Sequence, residues 1–511
     1  MNRLIVVSNR LPFALDSTGE DLWTVTPAVG GLVSAVEPVL RERGGTWIGW
    51  PGVAGEIPQE PLAKATRNAG YKVVPVALSE TERDEFYYGY SNEVIWPLFH
   101  DLQNFCNFEP GYWQAYKQVN ERYADAIGRC AEPDDFIWVH DYHLMYVAQA
   151  LCEQGLSQKL SGLTFFLHIP FPPYDIFSKL PQQQRLLHAL LQFDLVGFQT
   201  RRDVRNFIQC VRRVMLGAKV LSRRELQLIR FEDREIRVGH FPIGIDFTSF
   251  EKGARSDTVE QRAQRLRVTF PGCQLILGSD RLDYSKGIPE RLRAFRTALE
   301  RHPELRGRVV LIQVVVPSRV EIPRYHEFKQ RIDRLVGDIN GRFSTSTWLP
   351  VQYHFRSLDR QDLLAHYRGC DIAFVTPLKD GMNLVAKEYC ACRIDSDGVL
   401  ILSQFAGAAE QLKPDALLVN PYDVEQLADT LLRAFQISPA ERRARMKRMR
   451  RVVRDESVFW WVDSFLKAGA QLAAPLARST RQARRTKKSE IHSFAEKSDS
   501  LISDSTHGDH R

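Results

Sequence analysis

Ten short apolar runs punctuate this chain, with longer amphipathic stretches between them: LIVVSN, TWIGW, FIWVHD, LTFFLHI and LVGFQT, then QLILGS, VVLIQVVV, IAFVTP, GVLILS and ALLVNP. Such alternation reads as repeated strand-helix units around parallel sheets. The runs are apolar throughout, as strands covered on both faces must be. About half precede the segment FPIGID, Phe241 to Asp246, and half follow it. The charge-rich helical stretch SFEKGARSDTVEQRAQRLRVTF comes next, which places a junction near Asp246 to Thr248. A chain of 511 residues also exceeds what one hydrophobic core usually serves. The expected fold class is α/β: two doubly wound Rossmann-like domains, residues 1–247 and 248–457, facing a central cleft.

Composition narrows the class of function. The hydrophobic fraction is 44%, the charged fraction 26% and the mean hydropathy -0.29, the values of a globular chain. No apolar run approaches a membrane span, and LIVV near the N-terminus is too short for a secretory leader, so a cytoplasmic protein with no membrane partner is expected. Eight cysteines are scattered with no C-x-x-C pair, which reads as reduced packing residues. The net charge of +7 is concentrated: residues 475–511 hold 8 Lys/Arg and 5 Asp/Glu, leaving +4 for the rest. That Ser-rich, basic tail is expected to be disordered. A second basic cluster, Glu441 to Arg454, carries Met446, Met449, Val452 and Val453 on one helical face. Neither cluster forms a strand-end site, and nucleic acid is not an expected partner.

In doubly wound sheets ligands bind beyond the carboxyl ends of the strands. Arg10 follows LIVVSN; His140, Asp141 and His143 follow FIWV; His168 closes LTFFLH; Arg281 and Lys286 follow QLILGSD; Arg319 follows VVLIQVVVPS; Asp380 to Glu388 follow IAFVTPLK. A single such cation reads as a surface charge. Four at strand ends point to phosphate, because phosphate needs fixed positive charge and arginine offers it paired hydrogen bonds.

The segment LKDGMNLVAKEY predicts a turn at Asp380-Gly381 and a helix starting near Asn383. Free N–H groups of Met382, Asn383 and Leu384 would then face the cleft as a diphosphate site, with Glu388 a turn further on for a ribose. A helix simply capped by Asp380 is the other reading. Gly30 and Gly31 in AVGGLVSAV allow close backbone approach or form a plain turn. Tyr87 and Trp96 are aromatics in an expected polar loop, either packed or forming a sugar platform. No metal site is expected: Asp395 and Asp397 match D-x-D but precede the strand VLILS, where turn chemistry explains them, and HDYH reads as a hydrogen-bonding loop.

Together the motifs VVSNRLP, IGWPG, YSNEVIWPLFH, WVHDYHL, FLHIPFP, GFQT, PIGID, RLDYSKGIPER, VPSR, INGRF, TPLKDGMNLVAKEY and LSQFAGAA resemble those of trehalose-6-phosphate synthases, retaining glycosyltransferases of GT-B architecture. The resemblance covers roughly Arg3 to Ala468. It implies transfer of glucose from UDP-glucose to glucose 6-phosphate, with an acceptor-binding first domain, a nucleotide-sugar-binding second domain and a helix within 458–474 crossing back to the first. It implies that Arg281 and Lys286 hold the donor diphosphate, with Gly381, Met382, Asn383 and Leu384 behind it and Glu388 on the ribose. Asp380 and His168 would bind the transferred glucose, with Gly31 near the reacting phosphate. Arg10, Tyr87 and Arg319 would clamp the acceptor phosphate, while Trp96 and Asp141 hold the acceptor sugar and Trp50 lines the same region. No cofactor is implied; the partners are the small-molecule substrates, and association with a second copy of the chain is left open. One segment departs from the pattern, FHDLQNFCNFEPGYW, on the acceptor side. It leaves open a related synthase that takes glycerol 3-phosphate, with ADP-glucose as a possible donor. The chain ends soon after the second domain, so phosphate removal from the product is expected to need another enzyme.

Overall fold

The computed structural model describes residues 3–17, 23–27, 31–67, 69–157, 160, 162–222, 226–319 and 322–470. Gly30 and the 475–511 tail lie outside them. The first eleven strands are β1 (Leu4–Arg10), β2 (Phe13–Ser17), β3 (Trp23–Pro27), β4 (Thr46–Trp50), β5 (Lys72–Pro75), β6 (Phe136–His140), β7 (Leu163–Leu167), β8 (Leu195–Phe198), β9 (Lys219–Ser222), β10 (Gln227–Phe231) and β11 (Arg234–His240). Six more follow: β12 (Gln274–Arg281), β13 (Val309–Val316), β14 (Val351–Phe355), β15 (Ile372–Val375), β16 (Val399–Ser403) and β17 (Leu417–Val419).

They form two large sheets. The first runs β5-β4-β1-β6-β7-β8-β11-β10-β9 and the second β14-β13-β12-β15-β16-β17, beside a β2-β3 hairpin. Every pairing in the second sheet is parallel. In the first, only the β11-β10-β9 edge is antiparallel. Each sheet therefore winds outward in both directions from its first strand, the doubly wound order with a crevice where the winding reverses. Those switch points fall between β1 and β6 and between β12 and β15.

The apolar runs are apolar because both faces of each sheet are covered. Ile5, Val7, Ile48, Ile137 and Val139 face one cluster, while Leu4, Val6, Trp47, Phe136 and Trp138 face another. The second cluster is completed from far along the chain. Helix Val458–Ala470 lays Trp461 and Phe465 against Trp138, with ring centroids 5.0 and 4.6 Å apart. All ten expected runs are strands, whereas β5, β9, β10, β11 and β14 escape an apolar-run search. The Lys219, Arg230, Arg237 and His354 that interrupt them stand on edge or half-exposed strands.

Tyr87 and Trp96 do not lie in a polar loop. Residues 80–99 are helical, and Arg83–Ile95 winds as a wide π-helix. Its buried residues, Phe86, Gly89, Tyr90, Ser91, Asn92, Val94 and Ile95, mix polar with apolar groups, so the sequence shows no apolar stripe that would mark a helix. The polar Asn92 inside it is satisfied, donating to the Tyr87 carbonyl at 2.6 Å and accepting from the Tyr142 hydroxyl at 2.9 Å. No helix among the described residues is long and apolar enough to cross a membrane.

Candidate active site

On the second-domain side the site grows from the end of β12. Arg281 is exposed there and makes no ion pair among the described residues. The chain then makes one tight turn, Tyr284–Lys286, and enters helix Ile288–Arg301 through Gly287 at φ +65°. Only glycine fits: a Cβ at Gly287 would stand 2.3 Å from the Thr376 carbonyl oxygen. This turn buries Lys286 and aims it across the switch point, with Nζ 2.6 Å from Asp380 Oδ2. Burial pushes the Asp380 carboxyl up, but the Lys286 ammonium and the Met382 N–H outweigh it and hold the group below its usual range.

The expected helix begins at Leu384, but two details differ. Asn383, at φ +62°, is the cap, its Oδ1 accepting from the Ala386 N–H at 3.2 Å, so Asp380 is left to Lys286. The Met382 N–H is not free either, because it donates to Asp380 Oδ1 at 3.2 Å. The short reach of the Asp380 side chain within its own turn accounts for both. Gly381 touches the other domain, where a Cβ would meet the His168 carbonyl oxygen at 2.2 Å. Glu388 sits one turn along, accepting from the Tyr367 hydroxyl at 2.7 Å, and burial raises its carboxyl above the usual range.

On the first-domain side β6 ends at His140, and Asp141 follows at φ +74°. Burial pushes the Asp141 carboxyl up to about 6, although the N–H groups of Tyr142, His168 and Ile169 pull it back. His168 belongs to a relay whose proton positions follow from its end. The Ile243 N–H donates to Gln199 Oε1 at 2.9 Å, so Gln199 turns its amide nitrogen to His168 Nδ1 at 3.2 Å. His168 Nε2 then carries the proton and donates to His140 Nδ1 at 3.1 Å. Burial holds His168 neutral, its pKa pushed down to about 3. Both ring nitrogens are engaged within the protein, so a sugar hydroxyl reaches this ring by exchanging a partner.

The cations form a separate nest. The Arg10 guanidinium lies 4.0 Å over the Trp50 ring and 5.2 Å over Tyr87. Arg319, in left-handed backbone at φ +50°, reaches from the second domain over the Trp96 ring at 4.4 Å. It donates to the hydroxyls of Tyr325 at 2.8 Å and Tyr142 at 3.4 Å, with Asp283 3.7 Å away. Burial pushes the Tyr87 hydroxyl up, but Arg319 and Arg10 win and lower it below its ordinary value. Two half-buried guanidinium groups bracketing one phenol, with little carboxylate to balance them, form a preorganised anion site. The Trp50 indole is tied to the Val53 carbonyl at 2.6 Å. Gly31 opens helix Gly31–Arg43.

Asp283, Tyr325, Gln199 and Lys379 support these groups and are absent from the sequence reading, whereas His140, placed there at a strand end without a role, accepts the His168 N–H. Asp283 stands inside RLDYSKG and His140 opens HDYH, so sequence held a signal for both. Gln199 and Tyr325 become relevant only through distant partners. The unusual segment after Phe99 bridges the domains: Lys379 pairs with Asp101 at 2.5 Å, Phe105 stacks on Tyr284 at 4.7 Å, and Arg324 donates to the Phe105 carbonyl. Asp395 and Asp397 lie at the amino end of β16, paired with Arg393 and Arg442.

A profile of glycosyltransferase family 20 matches residues 2–471. The bifunctional trehalose-6-phosphate synthase/phosphatase of Thermoproteus tenax is 41% identical over 475 residues; the match covers 91% of this chain and 63% of that protein. The alpha,alpha-trehalose-phosphate synthase (UDP-forming) of Burkholderia xenovorans, solved in complex with glucose-6-phosphate, superposes with a TM-score of 0.82 at 34% identity, covering 92% of this chain and 100% of that one. An Escherichia coli trehalose-6-phosphate structure bound with UDP-2-fluoro glucose gives 0.82 at 35% identity, covering 92% and 99%.

Proposed function

The chain belongs to glycosyltransferase family 20, and from that premise we propose that it transfers glucose from UDP-glucose to glucose 6-phosphate, forming α,α-trehalose 6-phosphate and UDP with retention at the anomeric carbon. One observation carries this reading: two groups of cations share one cleft, Arg281 and Lys286 after β12, and Arg10 after β1 joined by Arg319, which reaches over from beyond β13. A transfer between a nucleotide sugar and a sugar phosphate needs two such anion sites. Relatives solved with glucose-6-phosphate and with a UDP-glucose analogue support the substrate pair.

Arg281 and Lys286 take the donor diphosphate, the turn Gly381 to Leu384 lies behind it, and Glu388 offers its free oxygen to the ribose. Arg10, Tyr87 and Arg319 clamp the acceptor phosphate. Trp96, Asp141 and Trp50 frame the acceptor sugar, Asp380 and His168 the transferred glucose, and Gly31 approaches the reacting phosphate. As the bond between the anomeric carbon and the phosphate oxygen breaks, negative charge gathers on the diphosphate. Fixed cations there stabilise the transition state more than the ground state. Retaining glycosidases use two carboxylates about 5–5.5 Å apart, one as nucleophile. Asp380 is already neutralised by Lys286, which favours substitution on one face. The acceptor hydroxyl attacks the anomeric carbon from the side the diphosphate leaves, and its proton passes to a departing phosphate oxygen.

The test is UDP release from UDP-glucose in chelator, with glucose 6-phosphate or glycerol 3-phosphate in parallel. Release with glucose 6-phosphate alone supports the whole reading. Release with glycerol 3-phosphate alone reassigns the acceptor, and dependence on added magnesium overturns the metal-free mechanism.

A further inference from the structure

A large groove that none of Arg10, Arg281, Lys286 and Arg319 lines lies between the domains, with a volume of about 1530 Å³. One wall is helix Arg201–Val214 of the first domain; the other is helix Ala409–Leu412 and the end of helix Pro439–Asp455 in the second. Arg202, Arg205 and Arg212 fall on one face of the first helix, and Lys413 stands opposite. None of these four has an ion-pair partner among the described residues. The acidic groups of the lining are fewer: Glu410 pairs with Arg201 at 3.3 Å, and Glu456 accepts from Gln411. Apolar residues share the lining, among them Ile208, Leu418, Val452 and Trp460.

Unpaired arginines massed along one wall repel one another and cost stability unless an anion gathers them. Arg202 to Arg212 spans ten residues of helix, roughly 15 Å at 1.5 Å per residue. A single phosphate cannot neutralise charges so spread. The groove also exceeds the roughly 300–1,000 Å³ of ordinary small-ligand pockets. Its lining connects to the hinge: Gln411 accepts from the buried Lys387, which also donates to the Ile243 carbonyl in the segment joining the domains and precedes Glu388 in sequence.

We propose that this interdomain groove is a second ligand site, taking a small polyanion with two or more phosphate groups set against Arg202, Arg205, Arg212 and Lys413. The occupant bridges both domains beside the hinge and holds them at their present separation. The assignment is independent of the chemistry proposed for the cleft.

The probe is inorganic tripolyphosphate, titrated calorimetrically into the full chain saturated with UDP, with Arg281→Gln in parallel to mark any contribution from the cleft. One site should bind in both proteins and weaken by about tenfold or more in Arg202→Gln/Arg205→Gln/Arg212→Gln, since each charge-assisted contact is among the stronger kinds. These positions make no ion pairs among the described residues, so the variant's circular dichroism should match the parent and its melting temperature should hold or rise as the mutual repulsion is relieved. Equal affinity in the triple variant, or no binding to the UDP-saturated parent, would overturn the assignment. Binding of an oligoglutamate peptide but not tripolyphosphate, lost in the triple variant, would overturn it in favour of an acidic protein partner.

Discussion

Lys286 and Asp380 form a buried pair across the switch point of the second sheet, Nζ to Oδ2 at 2.6 Å, and the same carboxylate collects the Met382 N–H and the Asn383 amide. Lys286 thus shapes the turn it faces as well as offering charge to the cleft, whereas Arg281 stands free.

The two cations should therefore fail differently. Lys286→Ala strands a buried carboxylate, a loss of about 3–5 kcal/mol for a broken buried pair, so both melting temperature and turnover fall. Arg281→Ala should leave the melting temperature nearly unchanged while kcat drops about 10²–10³-fold, the usual cost of losing one donor to developing charge. Differential scanning calorimetry beside UDP-release kinetics makes the comparison; equal stability losses would refute it.

Arg319 tests the acceptor clamp. Arg319→Gln removes a charged hydrogen-bond donor worth about 1.5–3 kcal/mol, or roughly 10–100-fold. That loss should appear in kcat/KM for glucose 6-phosphate, with the KM for UDP-glucose little changed. An equal rise in both KM values would mean that Arg319 holds the domains together rather than the phosphate.

The bridge from residues 101–105 should govern closure. Phe105→Ala removes the stack on Tyr284 and loosens the Arg324 contact. Small-angle scattering should show a larger radius of gyration and kinetics a raised KM for the acceptor, while the isolated fold stays intact. An unchanged radius with unchanged KM would make the contact incidental.

Asp141 sets a pH dependence. Its folded pKa of about 6 lies above the unfolded carboxylate value, so between about pH 4 and 6 the folded state binds more protons and stability contributed by this group falls as pH rises. Asp141→Asn should flatten that decline in a pH series of urea melts. In the parent, the acid limb of kcat/KM should break near 6 and shift little with temperature, as a carboxyl does. A strongly temperature-dependent limb would point to an imidazole and contradict the neutral His168.

Sequence made the strand-end chemistry legible because a parallel sheet leaves its functional groups directly after buried runs: Arg10, Asp141, His168 and Lys286 could be named without coordinates. What stayed hidden has physical causes. The π-helix carrying Tyr87 shows no apolar stripe, β14 and β9 are edge strands, and β10 and β11 beside β9 are half-exposed with polar interruptions. The Gln199 relay depends on an amide orientation fixed by Ile243, forty-four residues away in sequence. The alternative of Asp380 as a helix cap stays open in sequence because nothing local reveals that Lys286 occupies the carboxylate.

Trp138 lies in the centre of the first sheet, yet the rings that cover it, Trp461 and Phe465, come from the last described helix. At about 5–20 residues per second of synthesis, the ribosome needs tens of seconds after making Trp138 before its partners exist. Through that interval one face of the first sheet is a sticky, unfinished surface. The second domain's own covering helix, Pro439–Asp455, leaves the ribosome only just before those rings, so the two halves close almost together, and the earliest-made half is the one that waits longest uncovered while the chain is still being born.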